Sequence, residues 1–500
     1  MNILRYFFGT GRKRWKLVTL FIVLAIGGCI HWLANEWLFI HTPEKVDKPR
    51  NRSILRPYLF GDSRPRLRPK TAIPKVSRPE IAILKTPESA SNASSTNLQI
   101  TKPGKLHYQT RNTPMSVPIT LPAVDVVMTS QHGLTNKPQD SKTSASQSVS
   151  YNVHIFYYPW YGTPSVDGRY LHWNHQYLPH WNPQIAKNYA KGIHRPPDDI
   201  GSNFYPELGC YSSSDSNVME VHMRQMVMSG AGVVVVSWYP LEKADDQGIP
   251  VDSLIPKLLD AAEKFKLKIT LHIEPYKDRN DRTVRDDVIY ITKKYANHPA
   301  FYKYKTKHNK YLPLLYIYDS YHTKPEQWAN LLKPDGSHTI RNTPYDCIMI
   351  ALMVEQSHQE FIEVGGFDGF YTYFAANGFT YGSKWDTWSN LKSFAERSNA
   401  IFIPSVGPGY IDTSVRPWNA ANTHSRENGY YYEKAFQAAL SVRPPLISIT
   451  SFNEWHEGTQ IEKAIPKSRP GFRYLDYSPQ QSDYYLKLTR KYVEMFKKVA

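Results

Sequence analysis

A (β/α)8 TIM barrel is the fold class predicted for residues 151–500 of this α/β protein. Three observations predict it. Eight apolar runs of strand length recur between residues 151 and 500, and amphipathic segments of helix length separate most of them. The runs are almost continuously apolar, as strands of a parallel sheet buried on both faces are. No Gly-rich phosphate-binding turn follows any of them, which argues against the alternative, a doubly wound open sheet.

Before the barrel the chain is of a different kind. Residues 1–16 hold Arg5, Arg12, Lys13, Arg14 and Lys16, followed by "LVTLFIVLAIGGCIHWLA" at 17–34. Those positions form about 27 Å of helix, enough for a thin bilayer. With only Glu36 close behind, the positive-inside rule predicts a type II signal anchor: cytosolic tail 1–16, transmembrane helix 17–34 and a luminal remainder. A cleaved signal peptide is the alternative, but the apolar region is long and lacks a small-x-small site. Residues 35–150 form a Pro, Ser and basic-rich stretch with no sustained apolar period. It is expected to be a largely disordered luminal stem, and both N-glycosylation sequons, at Asn51 and Asn92, fall in it.

The strand-like runs are "NVHIFYYPW" (152–160), "GVVVVSWYP" (232–240), "KITLHIEPY" (268–276), "LPLLYIYD" (312–319), "DCIMIALMVE" (346–355), "GFYTYF" (369–374), "IFIPSVGPG" (401–409) and "PLISITSFNE" (445–454). Helix-like segments follow in "SDSNVMEVHMRQMVMSGA", "SLIPKLLDAAEKFK", "TVRDDVIYITKKYAN", "KPEQWANLL", "WDTWSNLKSFAERSNA", "GYYYEKAFQAAL" and the closing "SDYYLKLTRKYVEMFKKV". The stretch 162–214 between the first two runs is long for a loop, and loops of that length are usually functional.

The formal charge of +17 is located in the arm: residues 1–150 hold 22 Lys/Arg against 8 Asp/Glu, the remainder 39 against 36. The barrel therefore has no bulk electrostatic reason to bind nucleic acid, and no zinc-finger spacing or basic-aromatic repeat is present. Cys29 lies in the anchor. Cys210 and Cys347 are far apart, so no disulfide framework supports the fold, and one bridge or two buried thiols both remain open.

In a barrel, reactive groups gather at the carboxy ends of the strands. The first run ends in Tyr157, Tyr158, Trp160 and Tyr161, the second in Trp238 and Tyr239, and the third in His272, Glu274 and Tyr276. Tyr318, Asp319 and Tyr321 follow the fourth, Glu355 the fifth, Tyr371 and Tyr373 the sixth and Tyr410 the seventh; the eighth ends in Asn453, Glu454, Trp455, His456 and Glu457. Aromatic rings stack on the apolar faces of sugars while carboxylates and amides bind hydroxyls, so this rim predicts a carbohydrate cleft. Glu454 and Glu457 are three apart just past the last run. In a turn of helix they would share a face, raise each other's pKa and supply the acid a glycosidic bond needs. A bare Glu-x-x-Glu pair is more often a solvated turn; its place at a strand end is what favours catalysis. No His-Glu-x-x-His, paired-Cys or Asp-rich loop spacing and no Gly-x-Ser-x-Gly elbow occurs, so neither a metal nor any other cofactor is expected. A luminal glycosyltransferase is a rival reading, but Asp-x-Asp is absent. A lectin-like or inactive barrel is a second, and the acid pair speaks against it.

The motifs "HIFYYPWYGTP", "PPDDIGSNFYPELGCYSS", "VVVSWYP", "LHIEPY", "GFYTYFAANGF", "FIPSVGPGYIDTSVRPWN" and "SFNEWHEGTQIEKA", in this order over residues 150 to 498, resemble glycoside hydrolase family 99. The resemblance implies a metal-free, retaining (β/α)8 hydrolase of endo-alpha-1,2-mannosidase type. It would trim glucosylated high-mannose N-glycans and release glucosyl-alpha-1,3-mannose and longer glucosylated pieces. It further implies that Glu454 assists attack by the substrate's own 2-hydroxyl, through a 1,2-anhydro intermediate, while Glu457 is the general acid and base. Tyr158, Trp160, Trp238, His272, Glu274, Tyr318, Tyr373, Asn453 and Trp455 are the expected substrate-binding set. Anchor and stem resemble those of the Golgi members, which implies a single-pass Golgi membrane protein with a luminal barrel.

Overall fold

The structure, a computed structural model, describes residues 148–499. The expected tail, anchor and almost all of the stem, with both sequons and Cys29, lie outside the described residues. Among the described residues no helix is long and apolar enough to cross a membrane.

Eight parallel strands form the core: β1 (Ser150–Tyr157), β2 (Ala231–Trp238), β3 (Lys268–Ile273), β4 (Tyr311–Ile317), β5 (Ile348–Leu352), β6 (Gly369–Tyr371), β7 in two pieces (Ile401–Ile403 and Ser405–Val406) and β8 (Ile447–Ile449). Each pairs with the next in chain order, and β8 returns to β1 with Ile447 beside Val153, so the sheet is a nearly closed barrel. The break in β7 falls at Pro404, which has no N–H to give a ladder. Its first piece pairs with β6 and its second with β8. Around the break, Pro404 O accepts the Ser448 N–H at 3.1 Å and the Ser405 N–H turns to Thr372 Oγ1 at 2.9 Å.

Strand register decides which side chains look inward. Phe156 is level with Val235, and Ser237 with His272, which is level with Tyr316. The Phe156 ring touches His272, Tyr316, Tyr371 and Tyr373, so this parity fills the barrel interior. The opposite parity, including Tyr157, Trp238 and Ile273, faces the helices.

The helices expected from the amphipathic segments form at Ser216–Ser229, Ile255–Lys264, Asp281–Lys294, Pro325–Leu332, Trp388–Arg397, Tyr430–Ser441 and Tyr484–Val499. Local chemistry sets their ends. Asp215 caps the first by accepting from Asn217 N, and Gly230 stops it in the left-handed region at φ 84°. Asn280 and Thr283 form a capping box for Asp281–Lys294. After β5 there are only a 3-10 turn, Gln356–Gln359, and the single α turn Glu360–Glu363, and a short strand, Lys303–Lys305, runs antiparallel beside β4. Cys210 and Cys347 are separate free thiols.

Candidate active site

The loop after β8 is the unusual element, because all of residues 451–462 are buried. Loops normally lie on the surface, where water satisfies their backbone groups. This one is satisfied by the protein: Ser451 N donates to Thr459 O at 3.0 Å, Ile461 N to Ser451 O at 3.0 Å and Glu462 N to Phe452 O at 2.9 Å. Glu462 anchors it from beneath, accepting from the Tyr211 hydroxyl at 2.9 Å and the Trp455 indole at 3.1 Å and lying 3.2 Å from His222.

Glu454 and Glu457 are both buried, 4% and 7% accessible. They share one face through a turn rather than a helix. Glu454 N donates to Ser451 Oγ at 2.8 Å, and Glu454 Oε2 in turn accepts the Glu457 N–H at 3.1 Å, as a capping carboxylate does. The turn closes at Gly458, whose φ of 59° and tight seat against Ile411 leave no room for a side chain.

Electrostatics follow from this burial. Removal from water pushes the Glu454 carboxyl well up and the charge of Glu457 pushes it further, against partial relief from the Glu457 N–H and Arg416. Burial likewise raises Glu457, to about 7, with Arg416 pulling it down and Asp412 pushing it up. Burial thus disfavours charge on both carboxyls and the charge of Glu457 raises Glu454 further, so the two do not both ionise near neutral pH. The Arg416 guanidinium lies 4.0 Å from Glu457 Oε1 and donates to Asp412 Oδ2 at 3.0 Å. Asp412 also receives the Tyr410 hydroxyl at 2.9 Å and Asn419 at 3.0 Å. Arg416 and Asp412 were not among the expected site residues, although both lie in the quoted stretch "GYIDTSVRPWN" after the seventh run.

Of the expected residues, Tyr158, Trp160, His272, Glu274, Tyr318 and Tyr373 form one continuous wall. Tyr158 bonds the Tyr373 hydroxyl and packs on Trp160 at 4.6 Å. His272 Nε2 bonds the Tyr371 hydroxyl at 2.6 Å and its Nδ1 lies 3.1 Å from Glu274 Oε1, and its ring lies 4.9 Å from Tyr318, which lies 4.9 Å from Tyr373. Tyr158 senses, after burial, the charges of Glu274, Glu454 and Glu457, all of which push its pKa up, so wall and acids face one space. The buried Tyr318 hydroxyl has no hydrogen-bond partner in the protein, an arrangement that costs about 1–3 kcal/mol unless a ligand supplies one.

The other three are placed differently. Asn453 is fully buried and clamps the Tyr158 backbone, accepting from its N–H at 2.8 Å and donating to its carbonyl at 3.0 Å. Trp455 is buried with its indole N–H on Glu462 and Tyr211. Trp238 has the outward parity; it donates to Asp252 at 2.9 Å and stacks on Tyr290 of the helix layer. These three shape the site from behind.

Among the described residues one group, His172, Asp245 and Asp246, brings donor atoms within 4.8 Å, as a cation site would. His172 and Asp245 engage each other: His172 Nε2 meets Asp245 Oδ2 at 3.0 Å, and Asp245 Oδ1 accepts the N–H groups of Gln247 and Ile249 at 2.9 and 3.0 Å. They tie the 162–214 loop to the loop after β2, and His172 stacks on Trp160 at 4.5 Å.

The chain has relatives among known proteins. Residues 148–498 match Glycosyl hydrolase family 99. The chain belongs to that family. Family 99 relatives include the mouse protein named glycoprotein endo-alpha-1,2-mannosidase, 59% identical over 350 residues that span 70% of this chain and 76% of the relative. The human glycoprotein endo-alpha-1,2-mannosidase-like protein is 57% identical over 351 residues, 70% of this chain and 77% of its own. Among solved structures, the family 99 endo-alpha-mannosidase of Bacteroides thetaiotaomicron superposes with a TM-score of 0.64 at 44% identity, covering 70% of this chain and 99% of the bacterial one. The chain is a glycoside hydrolase of family 99 on a barrel-like fold.

Proposed function

We propose that this family 99 glycosidase is an endo-acting alpha-1,2-mannosidase of glucosylated high-mannose N-glycans, releasing glucosyl-alpha-1,3-mannose and longer glucosylated oligosaccharides with retention. The observation that carries the reading is the buried Glu454–Glu457 pair, joined through the Glu457 N–H and flanked by Arg416. An ionised Glu454 draws the proton from the mannose 2-hydroxyl, whose oxygen attacks the anomeric carbon from behind. The protonated Glu457 gives its proton to the departing oxygen, then takes one from the water that opens the 1,2-anhydro ring at the anomeric carbon, while Glu454 returns its proton to O2. No carboxylate bonds to carbon in this scheme. The wall from Tyr158 to Tyr373 stacks on sugar faces, and the Tyr318 hydroxyl bonds the ligand.

The apolar segment 17–34 with its basic flank supports a type II anchor, and with it a luminal barrel on the Golgi membrane. The test is incubation with a glucosylated high-mannose glycan and weighing of the released sugar. A disaccharide or larger is expected; free glucose, or tight binding without release, overturns the reading in favour of an exo-glucosidase or a lectin-like barrel. Glu454→Gln and Glu457→Gln are each expected to lower kcat by several orders of magnitude with folding intact.

A further inference from the structure

The end of the barrel opposite the cleft carries a cavity of about 940 Å³, built where the strands begin rather than where they end. Its walls come from the starts of β1, β3 and β4, the short strand Lys303–Lys305, the segment 296–302 and the loop before β8. Five cations line it, Lys268, Lys303, Lys305, Lys392 and Arg443, and no Asp or Glu does. That is a local concentration, since residues 151–500 as a whole are nearly balanced at 39 Lys/Arg to 36 Asp/Glu. Two of the five are engaged. Lys268 donates to Pro299 O at 2.6 Å, and Lys392 pairs with Glu396 at 3.1 Å. His298, also in the wall, meets Asp260 at 3.3 Å and Glu263 at 3.7 Å. Lys303, Lys305 and Arg443 have no ion-pair partner among the described residues, and Lys303 and Lys305 are exposed. A concavity of one sign focuses potential and concentrates counter-ions.

Tyrosine rings interleave with these charges. Tyr151 and Tyr311 in the wall are 40% and 62% accessible, which is high for tyrosine in a folded barrel, and Tyr304 stands between Lys303 and Lys305. Exposed rings offer apolar faces to sugar C–H groups while ammonium and guanidinium groups hold sulfate, phosphate or carboxylate. The cavity volume lies within the range of small-ligand sites. The cations stand on several separate chain segments, which suits charges repeated along an extended ligand better than one compact anion. The chain's own basic arm has the same sign and is a poor occupant.

We propose that this cavity is a second binding site, distinct from the acid pair, for an anionic oligosaccharide. It would dock an acidic glycan chain against the far end of the barrel while the cleft stays free.

The experiment measures binding of the full chain, in non-ionic detergent, to four fluorescent probes. These are a sulfated heparin-derived hexasaccharide, 3′-sialyllactose, mannose 6-phosphate and neutral maltohexaose. The hexasaccharide or 3′-sialyllactose is expected to bind ten-fold or more tightly than maltohexaose, and which one identifies the anion; binding of mannose 6-phosphate alone overturns the proposal. Lys303→Glu/Lys305→Glu is expected to weaken that probe at least ten-fold, whereas Lys257→Glu/Lys487→Glu, an equal charge change elsewhere, leaves it within two-fold. Tyr311→Ser weakens it with an unaltered salt dependence, and turnover by every variant stays at the wild-type rate. The proposal is overturned if no anionic probe exceeds the neutral one, or if both charge-reversed pairs act alike. It is equally overturned if uridine diphosphate or phosphatidylserine vesicles bind through Lys303 and Lys305 while the oligosaccharides do not.

Discussion

Replacing Glu457 by Gln tests the electrostatics of the site apart from its chemistry, because the burial that raises a carboxyl's pKa also makes stability depend on pH. The Glu457 carboxyl is raised from an ordinary 4.5 to about 7 in the folded protein. Between those two values the folded state keeps a proton that the unfolded chain has released, so stability falls as pH rises through that window and stays at the lower level above it. At 1.36 kcal/mol per pKa unit, the loss is about 3 kcal/mol. Glutamine cannot ionise. Glu457→Gln should therefore gain about 3 kcal/mol on the wild type between pH 4.5 and pH 8, whatever its standing at pH 4.5. With ~2.1 cal/mol/K of unfolding entropy per residue over roughly 350 residues, that is about 4 °C in Tm. Removing the Glu457 charge also relieves Glu454, which adds in the same direction. Thermal unfolding of both proteins across pH 4.5 to 8 measures it. Parallel Tm curves, or a variant that loses ground as pH rises, would refute the claim that this carboxyl is held protonated by burial.

Arg416→Met removes a charge 4.0 Å from Glu457, worth up to about 4 kcal/mol at an effective dielectric of about 20. Both limbs of the pH–rate profile should move up by at least about one unit, and an unmoved profile would detach Arg416 from the pair. Gly458→Ala puts a Cβ 2.6 Å from Ile411 Cγ2 at φ 59°, and should lower both Tm and kcat, with a cost of about 1–3 kcal/mol. Tyr318→Phe deletes a buried hydroxyl with no partner in the protein, so KM should rise about ten-fold while Tm rises rather than falls. Trp238→Phe takes a donor from Asp252, so Tm should fall while KM holds; exchanged outcomes for these two would reverse the inward and outward assignments.

Much of this was legible in the sequence. The eight runs and the seven longer helices stand where hydrophobic periodicity puts them, since burying a parallel strand on both faces demands continuous apolar residues. Tyr158, His272, Glu274, Tyr318 and Tyr373 were found by looking at strand ends. Trp238 was included because it too ends a run. Alternation would have set it apart, since it falls one residue beyond the inward Ser237; that distinction needs the register, which depends on neighbouring strands. Asn453 and Trp455 sit among the acids in sequence, but Asn453 clamps the Tyr158 backbone and Trp455 bonds Glu462 and Tyr211, roles visible only once Tyr158 and Tyr211 are in place. Arg416 and Asp412 lie in an irregular loop with no periodic signal, and their nearness to Glu457 is a long-range contact. The helical turn expected between Glu454 and Glu457 is instead a capped turn, because Gly458 and the return to Ser451 bend the chain too soon for a helix.

The interior placement of residues 451–462 has a consequence for how such an enzyme can diversify. A peripheral segment can drift, lengthen or be exchanged one residue at a time, whereas here nearly every substitution disturbs the scaffold and the reaction together. New glycan preferences must then arise on exposed segments, such as 181–193, while the apparatus in 451–462 is inherited whole.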